Sequence, residues 1–518
     1  ARVAGHRKET IARLALVLAL LAAGCTSYAV EAVDDVGLEA DVGLEADVGL
    51  EADVAVEADV PAAIGAADAA TPDTVPALDM IASVEANPNS TLSARVTVLT
   101  FESVRVRIGF GAQYTGWSAV GTEHVITVVG MRAETEYALT PEAELVAEIV
   151  VGAPVAFTTG ALPDGLPPIE VVVHKPGASA PGVTIFGAGD KTATGTTDAP
   201  LYYAVDAEGY VVWYYSSPGS QARHTNRDAT LLPDGNLMLS VDGGYRVVTI
   251  GGDTVSTIDT GDEPIHHDLV LLPDGRVWGL SNEVRGLDVA VLGGPVLVKG
   301  DRVLEWSATG ALDWTWSALD TLDTTYFPGP LSKKFKGQNG QEAADWTHGN
   351  ALVVVEDGAA MLLSIRHHNQ VVKVSRATGE VVWRLGDGGD FALTGGEWFY
   401  SQHAPELHQD GTILIYDNGN ERPGAAKQSR AVIYQLDQEA LSAEQIWEFP
   451  VETYTGFLGD ADRLANGNVL VCAGGVQEDN PTATIVEVTG DSPPQKVWEL
   501  TVPGNVYRAE RLPRFWLD

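Results

Sequence analysis

Three histidines and two arginines stand at repeating distances from Asp-Gly turns. His267 precedes Asp274 by seven residues, His403 precedes Asp410 by seven, and Arg227 precedes Asp234 by seven. His348 precedes Asp357 by nine, and an offset larger by two keeps a side chain on the same face of a β-strand. Arg366 follows Gly358 by eight residues, so a hairpin at Asp357-Gly358 returns it to the side of His348. Imidazoles gathered around a guanidinium suit an oxyanion: arginine offers a bidentate fork, and neutral imidazole is both a hydrogen-bond donor and a nucleophile. Competing readings are ordinary structural histidines, or a metal site in which Asp268 joins His267. An arginine in the same shell opposes a cation, and no HxH or HxxxH spacing supports ligation, so neither metal nor cofactor is expected.

These side chains need a scaffold that brings distant repeats to one point. The stretch from Asp345 supplies its unit. Turn signals at Glu356-Asp357-Gly358 and Ala377-Thr378-Gly379 divide it into four β-rich runs: Gly349–Val355, Ala359–Arg366, Gln370–Ser375 and Glu380–Leu385. Four short antiparallel strands ending in a tryptophan read as one blade of a β-propeller. Inner-hairpin turns recur at Asp234-Gly235, Asp274-Gly275, Asp357-Gly358, Asp410-Gly411 and Asn466-Gly467, with a degenerate sixth ending at Arg511-Leu512-Pro513. Outer strand pairs recur over 202–215, 245–259, 302–317, 371–385, 432–449 and 485–500, and five of the six carry Trp213, Trp316, Trp383, Trp447 or Trp498 near the end. The expected fold is therefore all-β, a six-bladed β-propeller over 166–518. Long insertions at 318–344 and 386–400 fall where propellers carry function. Innermost strands line the axis, so His267, His348, His403 and Arg227 should converge on one mouth of the channel, beside Arg366.

The rest of the chain frames this domain. The formal net charge of −39 argues against nucleic acid or an anionic membrane surface as main partner. Residues 1–25 read as a lipoprotein-type signal peptide: Arg2, Arg7, Lys8 and Arg13, an apolar run over 14–23, then Leu21-Ala22-Ala23-Gly24-Cys25 with Cys25 as the lipidated residue. Residues 26–80 repeat DVGLEA three times and hold 14 Asp or Glu with no Lys or Arg, the composition of a disordered acidic linker. Residues 81–163 alternate polar and apolar, and Met131 to Tyr137 resembles the tyrosine corner of a fibronectin type III-like β-sandwich, with Trp117 in its core. A Pro/Gly linker at 163–168 follows. Cys472 is left without a partner, so no disulfide or thiolate metal site is expected in the mature protein.

At the histidine motifs the chain resembles the bacterial aryl-sulfate sulfotransferases that work without a nucleotide sulfate donor. The resemblance rests on Ile265-His266-His267-Asp268, Asp345-Trp346-Thr347-His348-Gly349-Asn350, Ser364-Ile365-Arg366, the run 378–386, Ser401-Gln402-His403 and Tyr416-Asp417-Asn418-Gly419, over about 200–518. It implies a periplasmic six-bladed propeller with an N-terminal β-sandwich, often a homodimer, acting on small-molecule aryl sulfates and phenols. It implies a covalent sulfohistidine on His403 and ping-pong transfer, with Arg366 and His348 holding the sulfuryl oxygens. One of His266 and His267 completes the set, and the seven-residue offset favours His267. Ala404 stands where the family commonly has Asp, and the sandwich departs from its usual N-terminal domain. Trp346, Trp398, Phe399 and Tyr400 are candidates either for stacking on the aryl ring or for rim packing. Two other function classes are a non-catalytic envelope propeller that binds a partner, and a quinoprotein-like dehydrogenase. The latter lacks its vicinal cysteines and carboxylate-rich calcium site.

Overall fold

A computed structural model describes residues 78–516, apart from 147, 165, 167, 190–201, 217–227, 242–243, 291–292, 329–333, 337–341, 425–426 and 477–480. The expected signal peptide, Cys25, nearly all of the acidic linker and Arg227 lie outside the described residues. Among them, no helix is long and apolar enough to cross a membrane.

The chain is all-β. Six sheets radiate from one axis, each with four antiparallel strands at its heart. From blade 1 to blade 6, the innermost strands are Asn505–Leu512, Ala229–Leu231, Leu269–Leu271, Gly349–Val355, His403–Leu407 and Asp460–Arg463. Blade 4 falls where the turn signals put it, with Ala360–Ile365, Gln370–Ser375 and Val381–Gly386 outside its inner strand. The turn between its first two strands takes Glu356, Asp357 and Gly358 through positive φ of 53°, 53° and 89°. Glycine adopts that backbone at no steric cost, which is why Asp-Gly punctuates the repeats.

Blade 1 closes the ring in a way that spacing alone does not show. Its inner pair is not a hairpin: Asn505–Leu512 from the end of the chain pairs with Val183–Gly189. Glu170–His174 in turn adds a fifth strand outside Lys496–Pro503 of blade 6. Both ends of the propeller are thus fastened across the same seam, and its unfolding must break that double overlap.

The repeating tryptophans are bolts between blades. Trp213, Trp316, Trp383, Trp447 and Trp498 are all buried. Each indole N–H donates to an acceptor on the next blade: Ile250 O, Gly379 O, Gln438 Oε1, Asp491 O and Ala207 O. A buried indole needs a partner for its N–H, and the neighbouring outer turn supplies it. Among the described residues, the junction from blade 2 to blade 3 lacks this bolt, matching the one outer pair without a tryptophan.

The strands Met80–Ala86, Ala94–Phe110, Gly121–Val128 and Glu136–Glu144 enclose a separate apolar core that includes Val96, Val106, Ile108, Val128 and Leu139. The Tyr137 hydroxyl accepts a hydrogen bond from Arg132 N–H at 2.9 Å. This domain sits on blades 1 and 2. Asn87 Nδ2 donates to Gly251 O at 2.8 Å, Arg95 pairs with Asp253 at 2.7 Å, Arg132 Nε donates to Asp206 at 2.7 Å, and Phe110 meets Trp516 edge-on.

Candidate active site

Three inner strands deliver imidazoles to one end of the axis, and each does so through an irregular start. His267 and His348 have left-handed backbones, φ 57° and 52°, and Ala404 after His403 has φ 44°. In blade 3, His266 N–H and Asp268 O both bond to Leu280, so His267 is an extra residue opposite one partner. The ladder shifts between Gly349 and Ala351 in blade 4 and between His403 and Glu406 in blade 5. Such bulges re-aim side chains and recur beside active sites, and the backbone strain persists only where the surroundings enforce it.

The side chains meet. The His267 ring centroid is 5.5 Å from that of His348 and 6.3 Å from that of Tyr507. His403 is buried and lies within the electrostatic reach of Arg366, His348 and Arg508. Arg366 is 3% exposed and donates to Gly456 O at 3.0 Å. Among the described residues no carboxylate forms an ion pair with it, an unusual condition for a buried guanidinium. His266 stands behind His267, their Nδ1 atoms 2.9 Å apart.

Hydrogen bonds decide which ring nitrogens carry protons. Asn418 Nδ2 donates to Thr455 O and Leu458 O, each at 2.8 Å, which fixes its amide with Oδ1 toward His403. That oxygen is 2.6 Å from His403 Nδ1. It can only accept, so His403 carries its proton on Nδ1 and a lone pair on Nε2. His348 Nδ1 lies 2.6 Å from Asp345 Oδ2 and is fixed by the same logic. His367 Nδ1 donates to Asp345 O at 2.7 Å, and its ring lies 4.6 Å from His348.

Burial is the leading influence on all these rings and favours the neutral form. It holds His403 well below the usual imidazole range, with Arg366 acting in the same direction. His267 is also held well below it, by burial and then by His266, His348 and His403. His348 is lowered by burial in spite of Asp345, and His367 falls to about 3. The Asp345 carboxyl goes the other way: burial raises it, but His348 and Lys299 together hold it well below the carboxylate range.

The matching arylsulfotransferase (ASST) family model covers residues 171–509. The chain belongs to the arylsulfotransferase family. Over 352 residues it is 24% identical to the arylsulfate sulfotransferase AssT of Escherichia coli O6:H1 strain CFT073, covering 54% of this chain and 58% of that protein's length. Among solved structures it is similar to a putative 6-phosphogluconolactonase of Bacteroides uniformis (11% identity, TM-score 0.33, 64% of this chain and 100% of that one). It is also similar to the periplasmic gluconolactonase PpgL of Pseudomonas aeruginosa (12%, 0.30, 78% and 98%).

In this member of the family, spacing brought His267, His348, His403 and Arg366 to attention, and the fold gathers all four. It separates the adjacent pair, with His267 in the cluster and His266 behind it. Asp268 is turned away: Arg508 Nη1 and Nη2 and the Leu352 N–H use both of its oxygens. Asp345, His348 and His367 bring a carboxylate oxygen and one nitrogen of each ring within 4.8 Å of one another. The Lys299 ammonium, 3.4 Å from Asp345 Oδ1, opposes a cation there. Of the aromatics beside the motifs, Trp346 and Phe399 are core side chains, and Trp398 packs on Tyr434. Tyr400 bonds Asp387 at 3.1 Å. Tyr507, Asp301 and Lys299 had no local signal, coming from strands far away in sequence.

Proposed function

We propose that this chain transfers a sulfuryl group from an aryl sulfate to a phenol in two steps through a sulfated His403. The observation that carries this reading is a buried Arg366 that forms no ion pair with a carboxylate among the described residues, beside imidazoles held neutral. An aryl sulfate has one negative charge over three oxygens, so one guanidinium and uncharged donors match it. His403 Nε2 attacks sulfur, and the aryl O–S bond breaks with its electron pair leaving on the phenolate. Asn418 keeps a proton on Nδ1, so the sulfated ring remains a good leaving group for the acceptor. Arg366 and His348 hold the sulfuryl oxygens, and the rest is positioning in a dry site.

His403→Ala should abolish transfer from a chromogenic aryl sulfate to phenol, and donor alone should add one sulfuryl group to the intact mass of wild type only. Retained transfer in that variant would sink the assignment. The same reading includes export, a lipid anchor on Cys25 and a homodimer, with residues 81–163 as a fibronectin type III-like positioning module.

A further inference from the structure

The structure assigns Asp301 and His266 as positioning residues that hold His267 in the tautomer able to take the proton of the acceptor phenol. This deepens the two-step reading above and rests on it. Asp301 is fully buried on the second hairpin strand of blade 3, Gly294–Trp306. One oxygen accepts from Thr347 Oγ1 and Gly349 N–H. The other, Oδ1, lies 3.3 Å from His266 Nε2 but too obliquely for a hydrogen bond, and neither of these buried atoms has a hydrogen-bond partner among the described residues. Room for this carboxylate depends on Gly349, where a Cβ would meet Asp301 Cγ and Oδ2 at 3.0 Å.

Burial raises the Asp301 carboxyl, but His266, Lys299 and Thr347 outweigh it and hold it at about 2. An ionised carboxylate has no proton to offer and attracts one, so at 3.3 Å it favours the His266 tautomer with the proton on Nε2 and a lone pair on Nδ1. The 2.9 Å Nδ1–Nδ1 contact then requires His267 to donate. That leaves the His267 Nε2 lone pair free. The reverse tautomer would set two lone pairs against each other across 3.3 Å. His267 is surrounded by His266, His348, His403, Lys299 and Tyr507, and the adjacent Asp268 is bound to Arg508. No unpaired carboxylate is among these neighbours to keep a proton on the ring.

The two half-reactions use this base differently. In the first, the aryl O–S electron pair leaves as phenolate and no proton need reach His267. In the second, the acceptor oxygen forms a bond to sulfur and the His403 Nε2–S bond breaks, its electron pair returning to the ring. The phenolic proton passes to His267 Nε2 and then to water.

Asp301→Asn tests the relay. Its amide can donate to His266 Nε2, which reverses both tautomers and leaves His267 Nε2 protonated. With donor alone, the phenolate burst and the sulfuryl adduct on His403 should match wild type. Transfer from the adduct to phenol should slow by about 10²-fold. The deficit should shrink with nitrophenol acceptors already ionised at the assay pH. His266→Phe, which leaves the Thr347 and Gly349 contacts of Asp301 in place, should show the same split if Asp301→Asn folds poorly. Equal loss of burst and transfer with every acceptor, or unchanged transfer, overturns the relay. Absence of an adduct in wild type overturns the two-step reading instead.

Discussion

At the residue scale, the candidate site works by setting tautomers more than by accumulating charge. Asn418, Asp345 and, through His266, Asp301 each place a ring proton away from the cluster. His403 and His267, the nucleophile and base of the proposed two-step transfer, stay neutral well below the ordinary imidazole pKa, since burial lowers both strongly. The Asn418 contribution is separable. Asn418→Leu removes the acceptor at Nδ1 while keeping the volume, and the sulfated ring then loses the partner that keeps it cationic. Transfer from the adduct should fall by on the order of 10²-fold, read as accumulation of sulfated enzyme in rapid-quench mass measurements. Faster turnover of the adduct would contradict this role.

At the element scale, two devices stand out. Bulges at the mouths of blades 3, 4 and 5 aim His267, His348 and His403 inward, and the tryptophan bolts hold adjacent blades in register. Trp383 shows how much one bolt carries: it is 2% exposed, packs edge-on against Phe391 and donates to Gln438. Trp383→Ala should cost about 3–5 kcal/mol through cavity formation and the loss of that bond. Because blades 4 and 5 carry His348, Arg366 and His403, activity should be lost at a lower temperature as well. Denaturant titration checks the first expectation and residual activity after heating the second.

At the scale of the whole molecule, the channel has two different ends. Below the imidazole mouth, Arg508 on the closing strand bonds Asp228 at 2.9 Å and Asp268 at 2.8 Å. Beyond it, a cavity of about 280 Å³ is lined by Asp228, Glu406, Asp460, Asp462 and Glu510. Burial is the main cause that raises Asp460 to about 7 and Asp462 and Glu510 well above the carboxylate range, each helped by its acidic neighbours. At these three carboxyls the folded state binds more protons than the unfolded chain above about pH 4, so their contribution to stability falls as pH rises toward 7 and beyond. The depressed histidines act oppositely. His368 at about 4 and His367 at about 3 cost stability progressively as pH falls below 6.5. The two contributions oppose each other between about pH 4 and 6.5. Asp462→Asn should raise Tm at pH 8 and change it little at pH 4, and equal shifts at both would contradict the assignment.

The repeat of Asp-Gly turns and spaced tryptophans determined the six-bladed fold by itself, because local turn chemistry and strand alternation depend only on near neighbours. The same spacing made His267, His348, His403 and Arg366 legible, since equivalent positions in equivalent blades must point to one axis. Only the tertiary structure decided what surrounds them. Asp301 meets Thr347 and Gly349 across 46 and 48 positions, Asn418 takes its orientation from the loop after blade 5, and Arg508 arrives from the far end of the chain. Such partners leave no local pattern: the carboxylate that faces His266 stands on another strand of blade 3, brought near only when that sheet forms.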